Sequence, residues 1–236
     1  LNALLKESNI KKEIVPESED VTFKLAPRIN ACGRLDNPEV ASKLLLEKDE
    51  SICKELAKKM NHFNEQRKEI EMRLTEKALS LANQKFDKCS GVVACGRGEF
   101  WNPGVVGIVA GKLANELGKP CLVLAETEDG VYRGSGRGLD GVNLMDALEM
   151  CKNYLKHWGG HPVAVGLSVE KENIGAFSKA FIKSIDRLTG GIKKKPRLHI
   201  DAIISPSEIS EEMMKVVKSM APYGQDNPEP LLAIKK

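Results

Sequence analysis

No apolar run in this 236-residue sequence is long enough to span a membrane, and its start does not read as a signal peptide. No two cysteines share C-x-x-C spacing, although six are present: Cys32, Cys53, Cys89, Cys95, Cys121 and Cys151. Several lie in apolar strand-like or helical runs, so they are expected to be reduced core residues of a cytoplasmic protein. A metal set joining Cys151, His157 and His161 fails on spacing, because Trp158-Gly159-Gly160 breaks any helical register between the histidines. Catalytic motifs are missing too: there is no Asp-x-Asp, Asp-His-His or His-Glu-x-x-His, no P-loop and no evident Ser-His-Asp set. A phosphodiester hydrolase usually clamps two metal ions with several Asp and His side chains, and those are not found here. Internal repeats are absent, and the net charge is only +3, from 36 basic and 33 acidic residues. That is too mild to define a nucleic-acid partner, so any such partner must be met by local clusters. The chain starts at Leu1 and stops at LLAIKK, just as an apolar strand begins, and is expected to be a piece of a longer protein.

What is present organises into helices first and an α/β region second. After a short helix-like LNALLKE, a polar stretch leads to FKLAPRINACGRLD. Asp36-Asn37-Pro38-Glu39 then reads as a helix start for VASKLLLEK. From about Asp49 to Lys85, apolar residues recur at three- and four-residue steps with no glycine or proline, which predicts one helix of roughly 50 Å. Such a helix suits a coiled coil or bundle, or a strut between two domains. From Gly91 the pattern is α/β. GVVACG is a buried strand, and Asn102-Pro103 opens a helix that ends at Gly118. CLVLAE is a strand with VYRGSGR as its hairpin partner, and Asn143 starts a further helix. Val163, Val165, Leu167 and Val169 alternate as a strand, with Gly159-Gly160-His161 just before it. A last helix carries Phe177 and Phe181 at core spacing. GGIKKKPR, residues 190 to 197, reads as a linker, LHIDAIIS as a strand, SEEMMKVVKSM as a helix and LLAI as the start of another strand.

Three clusters pair arginine or histidine with glycines and small polar residues: Arg28 to Arg34 with Asn30 between, Arg133 to Arg137 with Ser135 between, and Gly159-Gly160-His161. Glycine lets backbone N–H groups approach an anion, arginine offers a planar fork to phosphate oxygens, and serine or histidine adds a donor. Each cluster also has a plainer reading. RGSGR can be an ordinary hairpin strand, Arg28 and Arg34 can pair with Asp36 or Glu39, and His161 can be a turn residue bonded to backbone. Taken together, the three point to an anionic ligand.

The motifs PRINACGRLDNP, WNPGVVGIVAGKL, GSGRGLDGVNLMDAL and GGHPVAVGLSV, in this order, resemble the RecJ family, single-strand-specific DNA exonucleases among the DHH phosphoesterases. The tail APYGQDNPEP resembles the start of that family's oligonucleotide-binding domain. The resemblance implies an α/β fold in four parts. These are the end of the DHH catalytic domain (1–48), a long connecting helix (49–86), a DHH-associated α/β domain with a mixed sheet (87–190), and a linker with the start of an OB-like β domain (191–236). It implies manganese or magnesium as cofactor, held by a DHH domain that precedes this region, and no metal ligand in this chain. Carried over by position, Arg28, Asn30 and Arg34 line the cleft and contact DNA phosphates, and Ser135 and Arg137 grip the phosphate next to the scissile bond. Gly159, Gly160 and His161 form a loop over the reacting phosphate, where His161 stabilises developing charge. Asn102 stands where many relatives carry histidine; it can cap the helix and donate to a phosphate, but it does not titrate near neutrality. Cys32 replaces a small residue such as alanine.

The resemblance therefore implies part of a metal-dependent 5′→3′ exonuclease, with this chain binding single-stranded DNA and cutting little or none by itself. It further implies single-strand-binding protein as a partner, no membrane and, by default, a monomer in the cytoplasm. Two alternatives stand beside it: a phosphodiesterase for oligonucleotides or cyclic dinucleotides, and a non-catalytic nucleic-acid-binding protein.

Overall fold

The computed structural model describes residues 1–11, 15–139, 141–190, 198–224 and 226–235. Most of the 190–197 linker expected from GGIKKKPR lies outside the described residues.

The first part is helical: Asn2–Glu7 (α1), Ser18–Asp20 (α2), Ala26–Leu35 (α3), Glu39–Leu46 (α4) and Glu50–Lys85 (α5). A π-helical segment, Val21–Leu25, joins α2 to α3. The sequence pattern assigns no helix to PRINACGR, yet it lies within α3. Pro27 stands in the first turn, where its missing N–H costs nothing, and only Ala31 and Cys32 of this helix are buried. The helix starting at Asp36-Asn37-Pro38-Glu39 begins at Glu39, whose N–H donates to Asn37 Oδ1 at 2.8 Å.

The 36-residue α5 is capped by Asp49, whose Oδ1 accepts from the N–H groups of Ser51 and Ile52. It contributes to two cores. Ala57, Met60 and Phe63 pack with residues of α1, α3 and α4, whereas Leu74, Ala78 and Ala82 pack under the sheet that follows. A polar node separates the two. Asn64 and Glu71 are buried; Arg67 donates to Asn64 Oδ1 at 2.7 Å and pairs with Glu71, and Lys112 reaches Glu71 Oε1 at 2.5 Å. Of the two expectations for the long helix, the strut is the one that fits.

The sheet has five strands: Val92–Gly96 (β1), Cys121–Glu126 (β2), Val131–Arg137 (β3), His157–His161 (β4) and Ala164–Glu170 (β5), in the order β1-β2-β3-β5-β4. Only β1 and β2 are parallel, joined by the crossover helix Val106–Leu117 (α6). Leu144–Glu149 (α7) and Ile174–Thr189 (α8) lie against the opposite face, where Leu122, Leu124, Val165, Leu167, Phe177 and Phe181 share a core. β1 and β2 read as unbroken apolar runs because both their faces are covered. The C-terminal unit is Ala202–Ile204 (β6), Glu211–Ser219 (α9) and Leu232–Ile234 (β7), with β6 and β7 parallel.

One expectation is corrected. Gly159-Gly160-His161 is not a loop before a strand but half of edge strand β4, which turns at Pro162-Val163 and runs back along β5. The alternation does continue into β4, with Trp158 packed on the core side, but two glycines conceal it.

Removing Glu71 leaves the partly buried Arg67 without its charge partner. Glu71→Ala is expected to cost about 3 kcal/mol in urea denaturation. Glu65→Ala, which breaks an exposed pair with Lys68, is expected to change stability by about 0.5 kcal/mol or less.

Candidate phosphate-binding site

The site forms where α3, α6 and β3 meet. Trp101 fixes the approach to α6: its ring fills the space beside Gly96, at the end of β1, where any side chain would collide with it. Asn102 follows, and its Oδ1 accepts from Gly104 N–H at 2.8 Å while its carbonyl accepts from Val105 and Val106. Asn102 thus shapes the turn that enters α6.

Gly104 is the contact point with α3. A Cβ there would stand 2.1 Å from the Arg34 carbonyl oxygen, so only glycine fits. Arg34 returns a bond, its Nη1 donating to the Gly104 carbonyl at 2.7 Å. Gly107 and Gly111 continue the same helix face and lie against β3. A Cβ at Gly107 would meet Ser135 Oγ at 3.3 Å and Arg137 Nη2 at 3.5 Å, and one at Gly111 would meet Arg137 Cγ at 3.7 Å. The spacing Gly104-x-x-Gly107-x-x-x-Gly111 signals this approach in the sequence.

Two guanidiniums meet here. Neither Arg34 nor Arg137 has a carboxylate partner among the described residues; Arg137 donates from Nη1 to its neighbour's carbonyl, that of Gly136, at 2.8 Å. Burial first, and the nearby Arg34 charge second, lower the Arg137 pKa from its ordinary value. Ser135 Oγ makes no hydrogen bond among the described residues and stands beside them. Unbalanced positive charge, partly desolvated, with a free hydroxyl alongside, is an arrangement that an anion completes.

Strand register sets the rest. Arg137 opposes Ala164 and Ala164 opposes His161, so Arg137 and His161 share one sheet face about 10 Å apart. In the next row Ser135, Gly166 and Gly159 share that face. A Cβ on Gly159 or Gly166 would meet nothing within 4 Å, so this face is open and floored by small residues. Gly160 differs: its φ is +142°, and a Cβ would stand 2.3 Å from the Ala164 carbonyl oxygen. The backbone of the hairpin requires Gly160, whereas it does not require Gly159.

Arg28 lies elsewhere. Its guanidinium donates to Asn61 Oδ1 (3.0 Å), the Lys24 carbonyl (2.7 Å) and the Glu7 carbonyl (3.3 Å), tying α1 and α3 to α5. Six residues separate it from Arg34, which sets the two about 120° apart around α3; Asn30, four residues before Arg34, shares the face of Arg34 and is exposed. Ion pairs of Arg28 or Arg34 with Asp36 or Glu39 are not formed among the described residues. Also among these residues, no group of three or more His, Cys, Asp or Glu side chains is placed to hold a metal ion, and no helix is long and apolar enough to cross a membrane.

Residues 89–187 match the family described as the DHHA1 domain, and residues 200–236 the family described as the RecJ OB domain. The Bacillus subtilis (strain 168) single-stranded-DNA-specific exonuclease RecJ is 32% identical over 213 residues, 90% of this chain and 27% of its own length. A RecJ from Thermus thermophilus, solved in complex with Mg2+, superposes with a TM-score of 0.84 at 25% identity over 98% of this chain and 35% of its own. A further exonuclease RecJ, solved bound to manganese, gives a TM-score of 0.66 at 26% identity over 78% of this chain and 44% of its own. The chain thus spans less than half the length of the relatives it matches. Its sheet and helices are those of a DHHA1-type domain of the DHH class. More narrowly, with a RecJ OB segment following, the chain is similar to RecJ exonucleases over most of its length.

The two glycines of β4 separate a backbone role from an open-surface role. Gly160→Ala is expected to destabilise by about 2 kcal/mol or more, and Gly159→Ala to stay within about 0.5 kcal/mol, both read by thermal or urea unfolding.

Proposed function

We propose that this chain is the phosphate- and DNA-binding part of a metal-dependent 5′→3′ exonuclease for single-stranded DNA. The observation that carries this reading is the meeting of Arg34 and Arg137, without carboxylate partners, beside the Ser135 hydroxyl and on the edge of an open sheet face. The relatives, single-stranded-DNA-specific exonucleases by name, suggest the substrate and the reaction. The RecJ OB match of residues 200–236 favours a polymer over a cyclic dinucleotide, since OB folds bind oligonucleotides.

In this reading the two guanidinium forks take the non-bridging oxygens of one phosphate, and Ser135 donates to a third position. Arg34 is held toward the phosphate by its bond to the Gly104 carbonyl, and Asn102 shapes that turn. Asn30 lies one turn away on the face of Arg34 and reaches the next part of the strand. Arg28 acts by holding α3 in place on α1 and α5. His161, across the sheet from Arg137, donates to charge that builds on the phosphate oxygens, and the absence of a side chain at Gly159 leaves the strand room to approach.

The cofactor is magnesium or manganese, the ions in the solved RecJ structures. In this reading the metal is held by a DHH domain that precedes this region, and this part contributes binding and orientation. The parts divide at 1–48, 49–86, 87–190 and 191–236. The protein works in the cytoplasm as a monomer, with single-strand-binding protein as a further partner.

Fluorescence anisotropy with a labelled, 5′-phosphorylated single-stranded oligonucleotide tests the reading. Binding should weaken steeply with salt, and Arg34→Ala or Arg137→Ala should each weaken it about tenfold or more and flatten the slope of log K against log salt by about one. Salt-independent binding, or none, would overturn it.

A further inference from the structure

We propose that the open face of the sheet carries a second phosphate subsite, formed by Arg133 and His157 on either side of Ser168, so that a single strand lies along β5 with successive phosphates at both ends of the face. This inference rests on the phosphate reading of Arg34 and Arg137 and extends it.

Three rows cross β3, β5 and β4 on this face: Arg137–Ala164–His161, Ser135–Gly166–Gly159 and Arg133–Ser168–His157. Each row is about 7 Å from the next, so the outer rows are about 13 Å apart along the strands. The pattern repeats. Each outer row has an arginine on β3, a small residue on β5 and a histidine on β4. The middle row has no side chain larger than serine. The result is a trough about 10 Å wide, with basic groups at both ends of both walls and open space over its middle row. A single extended strand fits it; a duplex is too broad.

Ser168 supplies an independent sign of a ligand. It is only 7% exposed, and its hydroxyl oxygen is buried with no hydrogen-bond partner. Its place in the register, between Ala164 and Gly166 on one side and Glu170 on the other, puts it on the trough side of β5. Buried hydroxyls are almost always bonded, so a lone one in a trough floor signals a missing acceptor. Arg133 is the movable part. It pairs with Asp129 at 2.7 Å, and both side chains are more than half exposed. Such pairs are weak, so Arg133 exchanges the carboxylate for a phosphodiester readily. The phosphodiester then stands beside Ser168, opposite Arg133 in the register, and the Ser168 hydroxyl donates to it as well.

The test compares a 5′-phosphorylated mononucleotide with a longer 5′-phosphorylated oligothymidylate on the same chain. Arg133→Ala and His157→Ala are expected to leave mononucleotide binding unchanged. They should weaken the oligonucleotide several-fold and flatten its salt slope by about one. A Cβ at Gly166 meets nothing within 4 Å, so Gly166→Val, which fills the floor, should keep the melting temperature and weaken only the oligonucleotide. Asp129→Asn releases Arg133 and should tighten oligonucleotide binding. If Arg133→Ala, His157→Ala and Gly166→Val all bind the oligonucleotide as the parent does while Arg137→Ala weakens it, the second subsite is overturned and the first stands. If the parent binds neither ligand, both readings fall together. Should Gly166→Val not fold, the Arg133 and Asp129 variants, which change only exposed side chains, decide the matter.

Discussion

The close approach of Arg34 to Gly104 is the contact on which the site depends. The carbonyl of Arg34 occupies the volume that a Cβ at position 104 would need, and its guanidinium closes the contact by donating back to the Gly104 carbonyl. That pair of interactions fixes the end of α3 to the start of α6. Since α6 in turn lies against the Ser135 and Arg137 side chains through Gly107 and Gly111, this one helix sets the position of Arg34 relative to Arg137. Two positive groups are thereby held together at a cost that a bound anion offsets. A site assembled this way binds phosphate without first having to order its own ligands.

The long helix makes this arrangement durable. α5 shares one core with the N-terminal helices and another with the sheet, and its buried Asn64 and Glu71, with the partly buried Arg67, sit between them. Lys112, on α6, joins that node. Through the Lys112–Glu71 pair and the shared core, the helix fixes α6, and so the Gly104 contact, relative to α3. At the far end of α5 the Lys119 ammonium donates to the carbonyls of Phe86, Asp87 and Cys89, closing the helix beside β2.

Much of this was legible in the sequence wherever the signal is local. Asp49, Gly118 and Asn143 mark helix ends, and each acts as a cap in the structure. The unbroken period of residues 49 to 85 gives α5 almost to the residue. RGSGR is a strand, as its hairpin setting indicates. Two features escaped. α3 carries Pro27 and Gly33 and buries little, so its period is faint. β4 holds two adjacent glycines, which erase the alternation that identifies a strand. The meeting of Arg34 with Arg137 across a hundred residues of chain is a tertiary fact, and its only sequence trace is the glycine spacing in WNPGVVGIVAGKL. The pairing of Gly159 and Gly160 in one motif suggested one purpose, but the backbone separates them: one permits a turn, the other keeps a surface clear.

The central claim is that Arg34 and Arg137 act as one site on one phosphate. A double-mutant cycle tests it most directly, with Arg34→Ala, Arg137→Ala and the double variant each titrated with a 5′-phosphorylated single-stranded oligonucleotide. If both groups hold the same phosphate, the double variant should lose less than the sum of the single losses, with a coupling above about 0.5 kcal/mol. Strictly additive losses would mean that the two arginines contact the strand independently, which contradicts the account.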